Sequence, residues 1–197
     1  TRLNVDSAKQ YAFIQEKTGI QFHDPVGCLY VNPRGKDSYL SNADSQAKQF
    51  DLKFKYYQNA DEIKKDFNDY DFPDESQGIF EANPSGLINP RLLLKAQLKI
   101  FEQNKGHIVR ETASSLEKTA EHFKVTTFEG NQFTADKVLI TTGSFINFVD
   151  ILPKKLDLKT KGEVIILIKV NEVEANRLSA LPSLLYEIDN GEIEGVY

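Results

Sequence analysis

Hydrophobic and polar positions recur along this chain with two periods, one near 3.6 residues and one of 2, and the changes between them mark its elements. Ala8, Tyr11, Ala12, Phe13 and Ile14 supply the apolar face of a first helix, and Gly19 supplies its stop. Asp24-Pro25 then makes a turn, and the apolar run GCLYV at residues 27–31 predicts a buried strand. A loop follows at residues 32–35. Residues 41–71 are strongly polar, with short helices expected around residues 43–50 and 60–67. The acidic NDYDFPDESQG stretch is rich in turn formers and is expected to be a solvated connection.

In the second half, Asn89 is placed to cap a helix whose first position is Pro90. Leu93, Ala96, Leu98, Ile100 and Phe101 give that helix an apolar face, and Lys105-Gly106 ends it. HIVRETASSLEK is then expected to return as a strand beside the helix, in the manner of a parallel α/β sheet. Alternation on both sides of Glu129-Gly130-Asn131 predicts a β-meander, feeding a final buried strand over residues 137–141. EVIILIKV, from Glu163, is a second strong strand signal, and Asn190-Gly191 marks a hairpin turn. The fold class expected from this order is α/β with α+β character.

Length and composition bound the function. A chain of 197 residues, 40% hydrophobic, can bury a real core. Its formal charge of -5 argues against a nucleic-acid surface, which needs a basic excess. No apolar run reaches 18 residues, so no membrane span is expected. The opening TRLNVDSAKQ lacks the regions of a signal peptide. Cys28 is the one cysteine, which excludes an internal disulfide and a cysteine-built metal site and favours a reducing, cytoplasmic setting. The scattered His23, His107 and His122 match no ligand spacing, so no metal is expected. With no Met, not even at the start, the chain reads as a processed or excised segment.

Known catalytic sets are missing as well: no Ser/His/Asp triad, HExxH, P-loop or GxGxxG is present. Cys28 reads better as a buried strand cysteine than as a nucleophile. Glu81, Glu111, Glu117, Glu129 and Asp136 make no obvious carboxylate pair. The turn Thr141-Thr142-Gly143-Ser144 is more suggestive. Glycine there lets backbone approach a ligand, and backbone amides can face a phosphate. A tight structural turn is the competing explanation.

The order of these segments carries a resemblance. Gly86-Leu87-Ile88-Asn89-Pro90-Arg91-Leu92-Leu93 resembles a "G-x-x-x-P-x-x-L" approach to a helix. Phe133 to Ile140 resembles a meander ending "F-x-A-D-x-V", and Thr141 to Phe145 resembles an "A-x-G-x-W/F" turn. Upstream, EKTGIQFHDPVGCLYV resembles "ETG" followed by "G-x-L-x-V". Together they resemble the FAD-dependent oxidoreductases of the D-amino-acid oxidase and sarcosine oxidase superfamily.

That resemblance implies part of a Rossmann-like FAD-binding domain plus a mixed β-sheet substrate domain. It divides the chain into residues 1–85, shared between the two, residues 86–150 of the FAD-binding domain, and residues 151–197 opening the substrate sheet. It also implies FAD as cofactor, with Ala113 and Ser114 near its adenine side and Thr141, Thr142 and Gly143 near the diphosphate and ribose. The reaction implied is oxidation of a C–N bond in a small amine or amino acid, with hydride transfer to flavin. Oxidation of a C–OH bond, as in 2-hydroxyacid or glycerol-phosphate dehydrogenases, is the alternative within the superfamily. A non-enzymatic α+β binding module is the alternative outside it. Arg2 corresponds by that resemblance to an arginine following the family's flavin-proximal segment, and Glu187, Glu194 and Tyr197 fall in strands on the implied substrate side without an assigned catalytic role. The family's N-terminal GxGxxG unit is absent, so the isolated chain is expected to bind FAD weakly or not at all and to be inactive.

Overall fold

The computed structural model describes residues 2–34, 49–50, 52–149, 151–162, 164–189 and 194–196. Two compact units divide the chain, one comprising Thr1–Gly106 with Lys169–Tyr197 and the other His107–Ile168. The elements of the first unit are α1 (Arg2–Thr18), β1 (His23–Asp24), β2 (Cys28–Asn32), β3 (Phe54–Tyr57), α2 (Ala60–Asp66), β4 (Gln77–Glu81), β5 (Leu87–Ile88) and α3 (Pro90–Gln103). After the second unit the first resumes with α4 (Glu172–Leu178), β9 (Ser183–Asp189) and β10 (Glu194–Val196).

Five of these strands form one mixed sheet, ordered β10-β9-β2-β4-β3. β2 runs parallel to β9 and antiparallel to β4. Residues directly opposite one another share a face, so the register sorts the side chains into two sets. Leu29, Val31, Tyr57, Phe80 and Tyr186 occupy one face. There Leu29, Val31 and Tyr57 close over Ile63 of α2, with Leu29, Tyr57 and Ile63 wholly buried. Burying a side chain such as Leu29 contributes roughly 1.5–3 kcal/mol. Phe67, Tyr70, Phe72 and Phe80 extend this core, and Phe72 stacks on Tyr186 at 5.8 Å. The expected buried strand in GCLYV is thus β2, with its alternation split between two environments.

α1 packs beside α3, and Lys99 Nζ donates to the Thr18 carbonyl at 2.7 Å to hold the end of α1. Asn89 caps α3 as expected, its side chain accepting from Arg91 N and Leu92 N, with Pro90 in the first turn. β1 and β5 pair as a separate two-stranded ribbon. The helix expected over residues 60–67 is α2, whereas the one around residues 43–50 falls largely outside the described residues. β9 and β10 pair as the expected hairpin, and its turn at Asn190-Gly191 also lies outside them.

The second unit holds β6 (Ala113–Lys118), β7 (Phe123–Thr127) and β8 (Gln132–Ala135), an antiparallel meander. Three expectations fail. Residues 107–112 are not strand, so β6 starts at Ala113 and its described partner is the antiparallel β7, not a parallel strand. Residues 137–141 form no strand, and Leu139 is 87% exposed. Residues 164–170 form none either, with Ile166 80% exposed. A continuous apolar run becomes a buried strand only where neighbouring strands complete its hydrogen bonds and cover both faces. No described strand does this for either segment.

Candidate functional site

Both groups of residues expected to meet a cofactor lie in the second unit. Ala113 pairs with Thr127, and a register shift before Ser115 leaves Ser114 as the extra residue of a bulge. Ser114 Oγ donates to the Thr126 carbonyl at 3.0 Å, so its hydroxyl is engaged within the meander. Glu111 braces the same place, accepting from Thr127 Oγ1 at 2.7 Å and from Asn131 Nδ2 at 2.9 Å. Thr141 and Thr142 are exposed, and Gly143 opens a single 3₁₀ turn, Gly143–Phe145. Its φ of 56° is left-handed, and no atom lies within 4 Å of where a Cβ would stand. No hydrogen bond joins the two groups.

A dinucleotide presents an anionic diphosphate and a flat adenine, and both need accessible backbone with little side-chain bulk. A left-handed glycine in open space, flanked by exposed small hydroxyl residues, leaves backbone amides accessible to an anionic ligand. Ala113 and Ser114 offer backbone and little bulk. They fit such a group.

A different site emerges on the first unit. The sheet face opposite the core carries Cys28, Tyr30, Phe54, Tyr56, Gln77, Ile79, Glu81 and Leu185, again by register. One end of this face, α1 and the β1–β5 ribbon border an open cleft of about 620 Å³, a volume within the usual range for a small-molecule pocket. Val5, Ala8 and Tyr11 line it from α1, three residues apart and so on one helical face. His23 and Ile88 line it from the ribbon, and Tyr30 and Glu81 from the sheet. Tyr11 is fixed by an edge contact with Phe22 at 5.7 Å and lies 5.5 Å from the His23 ring.

The cleft's floor is held by a crossing of chains that only glycine permits. A Cβ on Gly86 would stand 2.1 Å from the Asp24 carbonyl oxygen. Beside it, Gly27 N donates to the Ser85 carbonyl at 2.9 Å and Asn89 N to the Phe22 carbonyl at 2.7 Å. Glu81 is half-buried, and burial pushes its carboxyl above the usual range, with the positive charge of the chain's N-terminus and then the Ser85 side chain working against the shift. Burial likewise raises the Cys28 thiol, which is an inert core group in this setting.

Sequence reasoning set Glu81 aside because no second carboxylate accompanied it. The signal that could have found it was the alternation of β2 and β4, which puts Tyr30 and Glu81 opposite the core face. Glu187 lies on that same face and is ion-paired with Arg34 at 3.9 Å. The side chains of Arg2 and Glu194, and Tyr197 altogether, lie outside the described residues. Among the described residues there is no group of His, Cys, Asp and Glu able to hold a metal. No helix among them is long and apolar enough to cross a membrane.

A mixed sheet with one face packed and the other bordering a cleft defines an α/β protein. The more particular assignment comes from sequence: a model of the FAD dependent oxidoreductase family, DAO, matches residues 1–193, and the chain belongs to that family. No curated protein matches it. Among solved structures, it is similar to NikD, described as an unusual amino acid oxidase essential for nikkomycin biosynthesis. That likeness has a TM-score of 0.62 at 18% identity, covering 75% of this chain and 38% of NikD. Iminodiacetate oxidase from Chelativorans sp. BNC1 gives 0.52 at 16%, covering 74% of this chain and 40% of that one. Glycine oxidase from Bacillus cereus ATCC 14579 gives 0.57 at 15%, covering 72% and 39%. At these identities the structures establish a shared fold, and the chain spans about two fifths of their length.

Proposed function

We propose that this chain is part of an FAD-dependent enzyme that oxidises a C–N bond in a small amine or amino acid. The observation that carries the reading is the family match over residues 1–193. The solved relatives, whose names are those of amino acid, iminodiacetate and glycine oxidases, favour C–N over C–OH chemistry. Ala113, Ser114, Thr141, Thr142 and Gly143 are the residues that would hold FAD. The bare, left-handed turn at Gly143 supports that choice. Bound FAD supplies an acceptor for two electrons from the substrate carbon.

The chain's own residues then have two tasks. Backbone around Thr142 and Gly143 binds the anionic part of the dinucleotide, and backbone at Ala113 and Ser114 receives its adenine side. The sheet face bearing Tyr30 and Glu81 orients the substrate. The division into residues 1–85, 86–150 and 151–197, and a cytoplasmic setting suggested by the single buried Cys28, belong to the same reading.

The full-length protein should purify yellow and turn over amines or amino acids in preference to 2-hydroxyacids and glycerol phosphate. Gly143→Val should cost it most of its flavin. Turnover confined to hydroxyl substrates would favour the C–OH reading, and a flavin content untouched by Gly143→Val would remove that turn from the cofactor site.

A further inference from the structure

The cleft between α1, the β1–β5 ribbon and the sheet holds one carboxylate, Glu81, at the end of β4. The rest of the cleft's lining is mostly apolar or aromatic, with Val5, Ala8, Leu52, Ile88, Tyr11 and Tyr30, and includes the polar Ser7 and Ser85. A half-buried carboxylate in such walls has lost part of its hydration, and a cation bound beside it restores that stabilisation in a medium where charge pairs are strong. Lys9 and His23 also line the cleft. Lys9 is exposed at the cleft's edge, and the His23 ring lies 5.5 Å from that of Tyr11. Neither forms a salt bridge with Glu81.

We propose that Glu81 is a specificity-determining residue that receives the cationic amino group of a small ligand in this cleft, while Tyr11, Tyr30 and Ile88 take its apolar body. The proposal rests on the amine-oxidising reading for its biological sense, yet its physical content is a binding preference that can be measured without turnover. It also explains a choice the fold alone leaves open. A carboxylate at this point attracts an amine, is indifferent to an alcohol and repels a phosphate or a lone carboxylate. Burial raises the Glu81 carboxyl, and a bound ammonium brings it back down, so binding strengthens as pH rises through that titration.

The test uses the full-length protein, with isothermal calorimetry of benzylamine against benzyl alcohol, a pair alike in shape and different in charge. Wild type should bind benzylamine about tenfold or more tightly than benzyl alcohol, the usual scale of a charge-assisted hydrogen bond. Glu81→Gln should abolish that preference, and Glu81→Asp should keep part of it. Equal affinity for the two ligands in wild type, or a preference that survives in Glu81→Gln, would overturn the proposal. Should Glu81→Gln fold poorly, as its thermal melt would reveal, the wild-type comparison decides alone. Absence of flavin from the purified protein would count against the proposed reaction and leave this binding result standing by itself.

Discussion

The two units of this chain treat their apolar residues in opposite ways. In the first, the strand residues Leu29 and Val31 and the facing Tyr57 and Ile63 are almost wholly withdrawn from water. In the second, the equally apolar run at residues 164–168 is between 80% and 91% exposed. Composition does not separate the two cases. What separates them is partnership: β2 has β4 on one side, β9 on the other and α2 over its core face, whereas residues 164–168 have no described strand beside them. An apolar run in a sequence states a demand for neighbours, and this chain meets that demand in one place and not in the other.

Substitutions can break or sharpen that contrast. Leu29→Ala should have the largest effect, a loss of about 2–5 kcal/mol in urea unfolding, since it opens a cavity in a closed core. Ile166→Ala in the same experiment should stay within about 0.5 kcal/mol, because its side chain contacts mostly solvent. Equal losses at the two sites would erase the distinction drawn between the units. Gly86→Ala should cost about 1–3 kcal/mol, because its Cβ collides with the Asp24 carbonyl and the adjacent backbone must move. A near-neutral result would mean the crossing under the cleft is looser than its geometry indicates.

The smallest effect concerns charge. Glu81 has a raised carboxyl pKa in the folded chain. Its contribution to stability is therefore fully present below the ordinary carboxylate range and is lost as pH rises through the raised folded value. Glu81→Gln removes that loss. Its melting temperature should gain slightly on wild type as pH rises from the ordinary to the raised carboxyl pKa and stay ahead above it, with the gain absent at lower pH. A gain of equal size at every pH would point to packing instead of ionisation.

Local signals in the sequence translated well where the chain itself satisfied them. Asn89-Pro90 predicted the cap of α3 because a side-chain oxygen and a proline at a helix start act within one turn. The meander around Gly130 and the pairing of β9 with β10 were legible for the same reason. Residues 137–141 and 164–170 misled because a strand's existence is decided by distant partners, which periodicity does not register. The candidate cleft was hidden for a related cause. Glu81, Tyr30 and Tyr11 are far apart in sequence, and only the β2–β4 register and the packing of α1 bring them to one wall. The Thr141–Gly143 turn, by contrast, was visible as a short string, since a glycine among small residues signals its own backbone geometry.

The proposed reaction takes two electrons from an amine to FAD. Its most direct test is the visible spectrum of the full-length protein, recorded without oxygen before and after adding amine or amino-acid substrates. Flavin bands near their usual positions should bleach on addition of an amine and stay unchanged with the matching alcohol. A protein without flavin bands, or one whose bands bleach only with hydroxyl substrates, would contradict it.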